Sequence, residues 1–162
     1  ERWQQAAETF AARRGDMLRP GVRAGMVAAV LALLRDRAFA AAFGPQSRAE
    51  VPMVAEIPDP AGKGLPLRLN AVIDRLVVLE REVLVIDYKT NRPPPLDPAA
   101  VSMAYVMQLA AYRLALRRIY TDKTIRAAIL WTDGARLMEL PGPQLEAAER
   151  DLWLLAKARL DA

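Results

Sequence analysis

Three apolar runs within about forty residues do most to constrain the fold. They are SRAEVPMVAEIP (Ser47–Pro58), LPLRLNAVIDRLVVL (Leu65–Leu79) and EVLVIDYK (Glu82–Lys89), all rich in Val, Ile and Leu. Short runs of this kind bounded by turn formers read as strands, and DPAGKG supplies the turn between the first two. Three antiparallel strands are expected. Apolar residues fill both alternation sets of the second and third, so helices should cover one face and part of the other.

The flanks read as helical. Residues Glu1 to Arg14 carry Trp3, Ala7 and Phe10 at helical spacing and stop near GDMLRPG; a second pattern runs from Val22 to Phe43, with Met26, Val30, Leu33, Leu34 and Phe39 on its apolar side. After the loop TNRPPPLDP, Val101, Tyr105, Leu109, Leu116 and Ile119 predict a helix from about Ala99 to Tyr120, with Pro98 at its start, where a missing N–H costs nothing. TIRAAILWT (Thr124–Thr132) is a fourth strand, DGARLMEL a turn and short fifth strand, and PQLEAAERDLWLLAKARL (Pro143–Leu160) a closing helix. The order ααβββαββα gives an α/β (α+β) chain with a mixed central sheet of about five strands flanked by helices. At 162 residues one domain, 1–162, is expected, with 1–44 as helical scaffold and 45–162 as the core. No apolar run reaches the roughly 18 residues of a membrane span. The opening has neither an initiator Met nor a signal-peptide core, so a soluble fragment of a longer protein is expected.

The chain has no Cys and no His. Disulfides, zinc knuckles, Cys-ligated clusters and thiol nucleophiles are excluded from this segment, as are Ser-His-Asp triads and HExxH sites. Hydrolytic chemistry must therefore rest on carboxylates, Lys, Tyr or an oxygen-bound metal. The formal charge is +4, the pI is near 9.8, and nineteen of the twenty-three basic residues are Arg. Such a balance suits a polyanionic partner, and equally a chain that spreads Arg over solvated faces.

In a strand, residues two apart share a face, so Asp87 and Lys89 project together while Tyr88 points away. The link between the second and third runs centres between Glu80 and Arg81, and any loop symmetric about that point sets Asp74 opposite Asp87. Opposed side chains have Cβ atoms about 5 Å apart, where two unit charges repel by roughly 3 kcal/mol at an effective dielectric near 20. The pair needs a compensating cation. Lys89 supplies one charge, and a hard divalent ion such as Mg²⁺, held by carboxylate oxygens and water, would supply the rest. The plainer alternative pairs Asp74 with Arg75 or another Arg and leaves Asp87 and Lys89 as an ordinary edge ion pair. Glu50, in RAEVPM, is a further carboxylate at a strand start, where Glu is usually solvated. Tyr105, Gln108 and Tyr112 lie at i, i+3 and i+7 on one face of the long helix. That stripe can bind a polar ligand, or serve as core with its hydroxyls satisfied.

AVIDRL, VIDYKTNRPPP and YVMQLAAYRLAL, in that order, resemble the PD-(D/E)XK nuclease superfamily, and within it the RecB-like C-terminal domain of the helicase-nuclease AddA. The pattern there is an upstream Glu, a GxIDRL strand, a DYKT strand and a QxxxY helix. AAILWTDGARLMEL and FGPQSRAEVPM also look like the alphaproteobacterial AddA ending, so the resemblance covers the chain from about Phe39 onward. It implies a restriction-endonuclease-like catalytic core in 45–162 that hydrolyses DNA phosphodiesters with Mg²⁺ or Mn²⁺. By the same resemblance, Asp74 and Asp87 would ligate the metal, with the backbone carbonyl of Tyr88 as a third ligand and Glu50 as a metal-proximal carboxylate. Lys89 would orient or activate the attacking water and stabilise charge developing on the phosphate, and Gln108 and Tyr112 would form the accessory motif beside it. Arg75, Thr90, Asn91, Arg92 and Tyr105 are the expected DNA contacts. The implied parent is a bacterial, cytoplasmic helicase-nuclease, nucleoid-associated when acting, that works in double-strand break repair and recombination. Its partners would be DNA, its own helicase domains and an AddB-like subunit, with ATP used only in the helicase part and no membrane involved.

Three departures qualify the resemblance. Ala71 stands where the family strand has Gly, which alters how closely another backbone can approach. The His that RecB-like domains carry on a helix ahead of the strands has no counterpart, which implies that this helix lies upstream and that the fragment alone binds metal weakly. The iron–sulfur cysteines of AddB and of CRISPR-associated exonucleases are also missing, which favours the AddA branch. The competing expectation is a non-catalytic module that keeps the nuclease fold and only grips DNA or docks onto the helicase body.

Overall fold

The structure, a computed structural model, describes residues 2–60, 62 and 64–158. It divides into two compact units, Glu1–Gly44 and Pro45–Ala162.

The first unit holds α1 (Arg2–Arg14), α2 (Pro20–Arg35), a 3₁₀ turn (Arg37–Phe39) and the short α3 (Ala40–Phe43). The single helix expected over Val22–Phe43 is broken at Asp36, whose backbone is extended (φ −73°, ψ 125°). Its Oδ1 accepts the Ala38 amide at 2.9 Å. A short acceptor that bonds an amide two residues on starts a new turn instead of continuing the old one. Phe39 is buried as the apolar stripe predicts, whereas Met26 and Val30 are half exposed. Together with Trp3, Phe10, Leu18 and Leu34 they line an apolar groove of about 470 Å³.

The second unit is built from β1 (Ser47–Ile57), β2 (Leu67–Val78), β3 (Glu82–Lys89), α4 (Met103–Ile119), β4 (Thr124–Trp131), β5 (Arg136–Glu139) and α5 (Gly142–Ala158). One sheet runs β1-β2-β3-β4-β5. Neighbours are antiparallel except β3 and β4, which are parallel. Parallel neighbours need a long crossover, and α4 provides it. The expected mixed five-stranded sheet and the order of the major elements are those observed. Val83 and Val85 of β3 and Ile125, Ala127, Ile129 and Trp131 of β4 pack in one core with Val106, Leu109 and Leu116 of α4. α5 adds Leu145 and Ala148. It is tied to α4 where Arg113 Nη1 and Arg117 Nη1 each reach Glu149, both at 3.0 Å. Arg113 and Glu149 are both buried, and mutual pairing is what makes such burial tolerable.

The crossover helix starts later than its periodicity suggests. Asp97 Oδ1 accepts the Ala99 amide at 2.7 Å and closes a separate 3₁₀ turn over Pro98–Ala100. Val101 and Ser102 are then extended (ψ 135° and 132°), and α4 begins at Met103. The closing helix is described to Ala158; its expected last residues, 159–160, lie outside the described residues.

β2 changes phase in mid-strand. Leu67, Leu69, Ala71 and Ile73 turn toward the core, and after Asp74 and Arg75 the core residues are Leu76 and Val78. Both alternation sets are therefore apolar partly because the strand twists over, and not only because two faces are covered. β1 shows the matching irregularity: it pairs through Ala49↔Arg75 and Val51↔Ile73, while Glu50 between them has φ 51°. A left-handed residue turns the strand about its axis, so both halves of the β1–β2 ribbon can present an apolar face to the core.

Candidate active site

The phase change delivers an acidic row. β2 and β3 pair from Val78↔Val83 to Arg75↔Ile86, which is the register symmetric about the Glu80–Arg81 midpoint. One step further sets Asp74 against Asp87, and there a side chain replaces the ladder bond: the Tyr88 amide donates to Asp74 Oδ2 at 2.7 Å. The β1–β2 register sets Glu50 across from Asp74 on the other side. Its positive φ costs of order 1–3 kcal/mol for a non-Gly residue. Even so, Glu50 is exposed, and among the described residues no three acidic side chains group as metal ligands. The carboxylates brought together are Asp74 and Asp87.

Around Asp87 the polar contacts are dense. Lys89 Nζ lies 2.5 Å from Asp87 Oδ2, so the ion pair of the plainer alternative is present. Gln108 of α4 spans the pair, donating from Nε2 to Asp87 Oδ1 at 2.9 Å and accepting from Lys89 Nζ at 3.1 Å. Its Nε2 also donates to the Tyr112 hydroxyl at 2.9 Å. Gln108 and Tyr112 are one turn apart on α4, which puts both on the face that covers the end of β3. Lys89 Nζ also sits 4.4 Å from the centre of the Tyr105 ring. Asp87, Lys89, Gln108, Tyr112 and Tyr105 thus form one connected cluster.

Asp87 is 4% exposed, and that burial pushes its carboxyl above the usual 3.8. Lys89 pulls it back, Asp74 pushes it up again, and the Gln108 hydrogen bond lowers it. A buried carboxylate with a like charge beside it favours the neutral form unless a cation arrives. Tyr88 faces the other way, and its hydroxyl accepts from Arg75 Nε at 2.6 Å. Burial is the main reason that phenol is raised, opposed by Arg75 and reinforced by Asp74 and Glu50.

The expected DNA contacts divide between two places. Arg75 turns from the cluster toward Tyr88 and toward Ser47, whose Oγ accepts from Nη1 at 3.0 Å. Thr90, Asn91 and Arg92 are exposed at the exit of β3. Asn91 Oδ1 accepts from the Tyr105 hydroxyl at 3.1 Å, and Arg92 Nε lies 3.5 Å from Asp133 Oδ1 in the turn after β4. Two residues were not anticipated from sequence. Trp131 lies beside the Tyr105 ring, centroids 6.4 Å apart, and Asp133 pairs with Arg92. Both follow from the parallel pairing of β3 with β4, which sets Lys89 beside Trp131.

Asp74 and Asp87 offer only oxygen donors, the chemistry that Mg²⁺ and Mn²⁺ prefer, and Mg²⁺ is commonly held by one or two carboxylates with water and substrate oxygens. Asp87 Oδ2 is buried and receives no well-directed hydrogen bond despite its contact with Lys89. An acceptor of that kind fits a hard cation.

The sequence profile of the PD-(D/E)XK nuclease superfamily matches residues 1–160. A search of curated proteins finds no match. Among solved structures, the crystal structure of SSO0001 aligns with 16% identity and a TM-score of 0.39, covering 87% of this chain. This chain spans 63% of that one, and so loose a likeness adds nothing to the assignment. The profile, in contrast, runs over nearly the whole sequence, and on that ground the chain belongs to the PD-(D/E)XK nuclease superfamily, whose members are typically nucleases.

Proposed function

We propose that this chain is a Mg²⁺- or Mn²⁺-dependent DNA nuclease module, the C-terminal exonuclease part of an AddAB-type helicase-nuclease acting in double-strand break repair. The observation that carries the reading is the Asp74–Asp87 pair with Lys89 and Gln108 at the end of β3. Two ionised carboxylates and one ammonium sum to −2 + 1 = −1, a site that repels a phosphodiester. A divalent cation on Asp74 and Asp87 brings the sum to +1, and the same site attracts one. When bound, that cation would supply the neutralising charge and ease deprotonation of an attacking water at neutral pH, a role no His or Cys is present to fill.

The chain's own groups do the rest. The Tyr88 amide fixes Asp74, Gln108 fixes Asp87, and Lys89 presents its ammonium to charge developing on the phosphate. The order of motifs, AVIDRL then VIDYKT then QLAAY, supports the AddA setting. The absence of a third converging acid among the described residues favours the competing reading, a module that grips DNA or docks a partner without cutting. Cleavage of linear DNA by the full-length protein, with Mn²⁺ and with the helicase motor disabled, separates the two. Asp87→Ala and Lys89→Ala are expected to abolish cleavage, and undiminished cutting by both variants would sink the nuclease reading.

A further inference from the structure

Tyr105 lies outside the QxxxY pair, yet it is the α4 residue whose ring meets Lys89. At 4.4 Å from the ring centre, the ammonium is within the range over which an aromatic face attracts a cation. Two further contacts hold the ring. Trp131, fully buried at the end of β4, stands 6.4 Å from it at a tilt of 55°, and the hydroxyl donates to Asn91 Oδ1 in the segment leaving β3.

We propose that Tyr105 is a positioning residue for Lys89, an inference that rests on the nuclease reading and assigns Tyr105 a task other than touching DNA. A lysine side chain has four rotatable bonds and needs more than one contact to hold its head in place. The contact with Asp87 is a poor guide during catalysis, because any divalent cation on Asp87 competes with the ammonium for that carboxylate. Gln108 Oε1 and the Tyr105 ring stand outside this competition. The ring has a further advantage over an acid, since its face attracts the cation without cancelling its charge. Lys89 stays held toward the phosphate.

Two readouts test this on the 162-residue chain and its full-length parent. The first is the ε-methylene NMR signal of Lys89, one of four lysines with Lys63, Lys123 and Lys157. Ring current should set it apart from the other three in wild type and in Tyr105→Phe, and Tyr105→Leu should return it to their range. The second is Mn²⁺-dependent DNA cleavage. Tyr105→Leu is expected to lower kcat roughly tenfold, equivalent to about 1.4 kcal/mol, with KM within about twofold. Tyr105→Phe keeps the ring and loses only the Asn91 bond, so it should lose about threefold or less. Wild-type kcat in Tyr105→Leu overturns the proposal, as does a raised KM with kcat intact, the mark of a DNA contact. A Lys89 signal indifferent to the ring also overturns it. If wild type cuts no DNA, the nuclease reading falls by itself, and the NMR signal alone decides whether Tyr105 holds Lys89.

Discussion

Gln108→Leu tests whether Gln108 is the spacer that keeps a buried carboxylate and a lysine in one site. Gln108 makes two hydrogen bonds to charged partners, Asp87 and Lys89, and one to the Tyr112 hydroxyl. Bonds to charged groups contribute about 1.5–3 kcal/mol and a neutral one about 1. The cluster is partly solvated, so the low end applies, and the three bonds sum to roughly 4 kcal/mol. Leu returns about 1 kcal/mol through apolar burial, leaving a net loss of roughly 3 kcal/mol. For a chain of this size each kcal/mol moves Tm by about 2–4 °C, so Gln108→Leu should melt roughly 6–12 °C below wild type in EDTA. Gln108→Glu separates lost bonding from charge. It keeps an acceptor for Lys89 but sets a second carboxylate against Asp87, and their repulsion raises both carboxyl pKa values. Carboxyls raised in the fold contribute stability that is present at low pH and lost as pH rises through the folded values. Gln108→Glu should therefore recover on acidification most steeply, and Gln108→Leu, which only removes the bond that lowers Asp87, should recover less than Gln108→Glu. A Gln108→Leu variant that melts within about 2 °C of wild type, or a Gln108→Glu variant that parallels wild type from neutral to acidic pH, would overturn this role for Gln108.

Two further perturbations address the acidic row. Glu50→Gly removes a side chain from a left-handed position and should stabilise the chain by about 1 kcal/mol, seen as a higher midpoint in urea; a lower midpoint would mean that the carboxylate holds the strand. Asp87 is raised by burial, so its contribution to stability is fully present below 3.8 and is lost as pH climbs through the raised folded value. In EDTA, Asp87→Asn should thus be the more stable protein at pH 7, with the difference shrinking on acidification. A constant difference across pH would show that charge is not the cause.

Much of this site could be read in the chain because its parts are local. Asp87 and Lys89 share a face by strand period, Gln108 and Tyr112 by helix period, and a short loop between β2 and β3 leaves little choice of register for Asp74. The phase change in β2 was written in the sequence as well, in the step from Ile73 to Leu76, but two apolar alternation sets also fit a strand covered on both faces. Only the backbone of Glu50 distinguishes them. The pairing of β3 with β4 was hidden for a different reason. A crossover of this length can return to either edge of a sheet, so nothing near Lys89 in sequence marks Trp131 as its neighbour. The breaks at Asp36 and ahead of Met103 were missed because apolar spacing reports a face and does not register a side-chain oxygen that closes a turn early.

The proposed nuclease chemistry stands on a divalent cation held by Asp74 and Asp87. Anomalous diffraction from a crystal soaked in Mn²⁺ would locate that cation. A single strong peak bonded to oxygens of both Asp74 and Asp87 is expected, with Lys89 still held by Gln108. A crystal saturated with Mn²⁺ that shows no peak there, with the Asp87–Lys89 ion pair undisturbed, would contradict that chemistry.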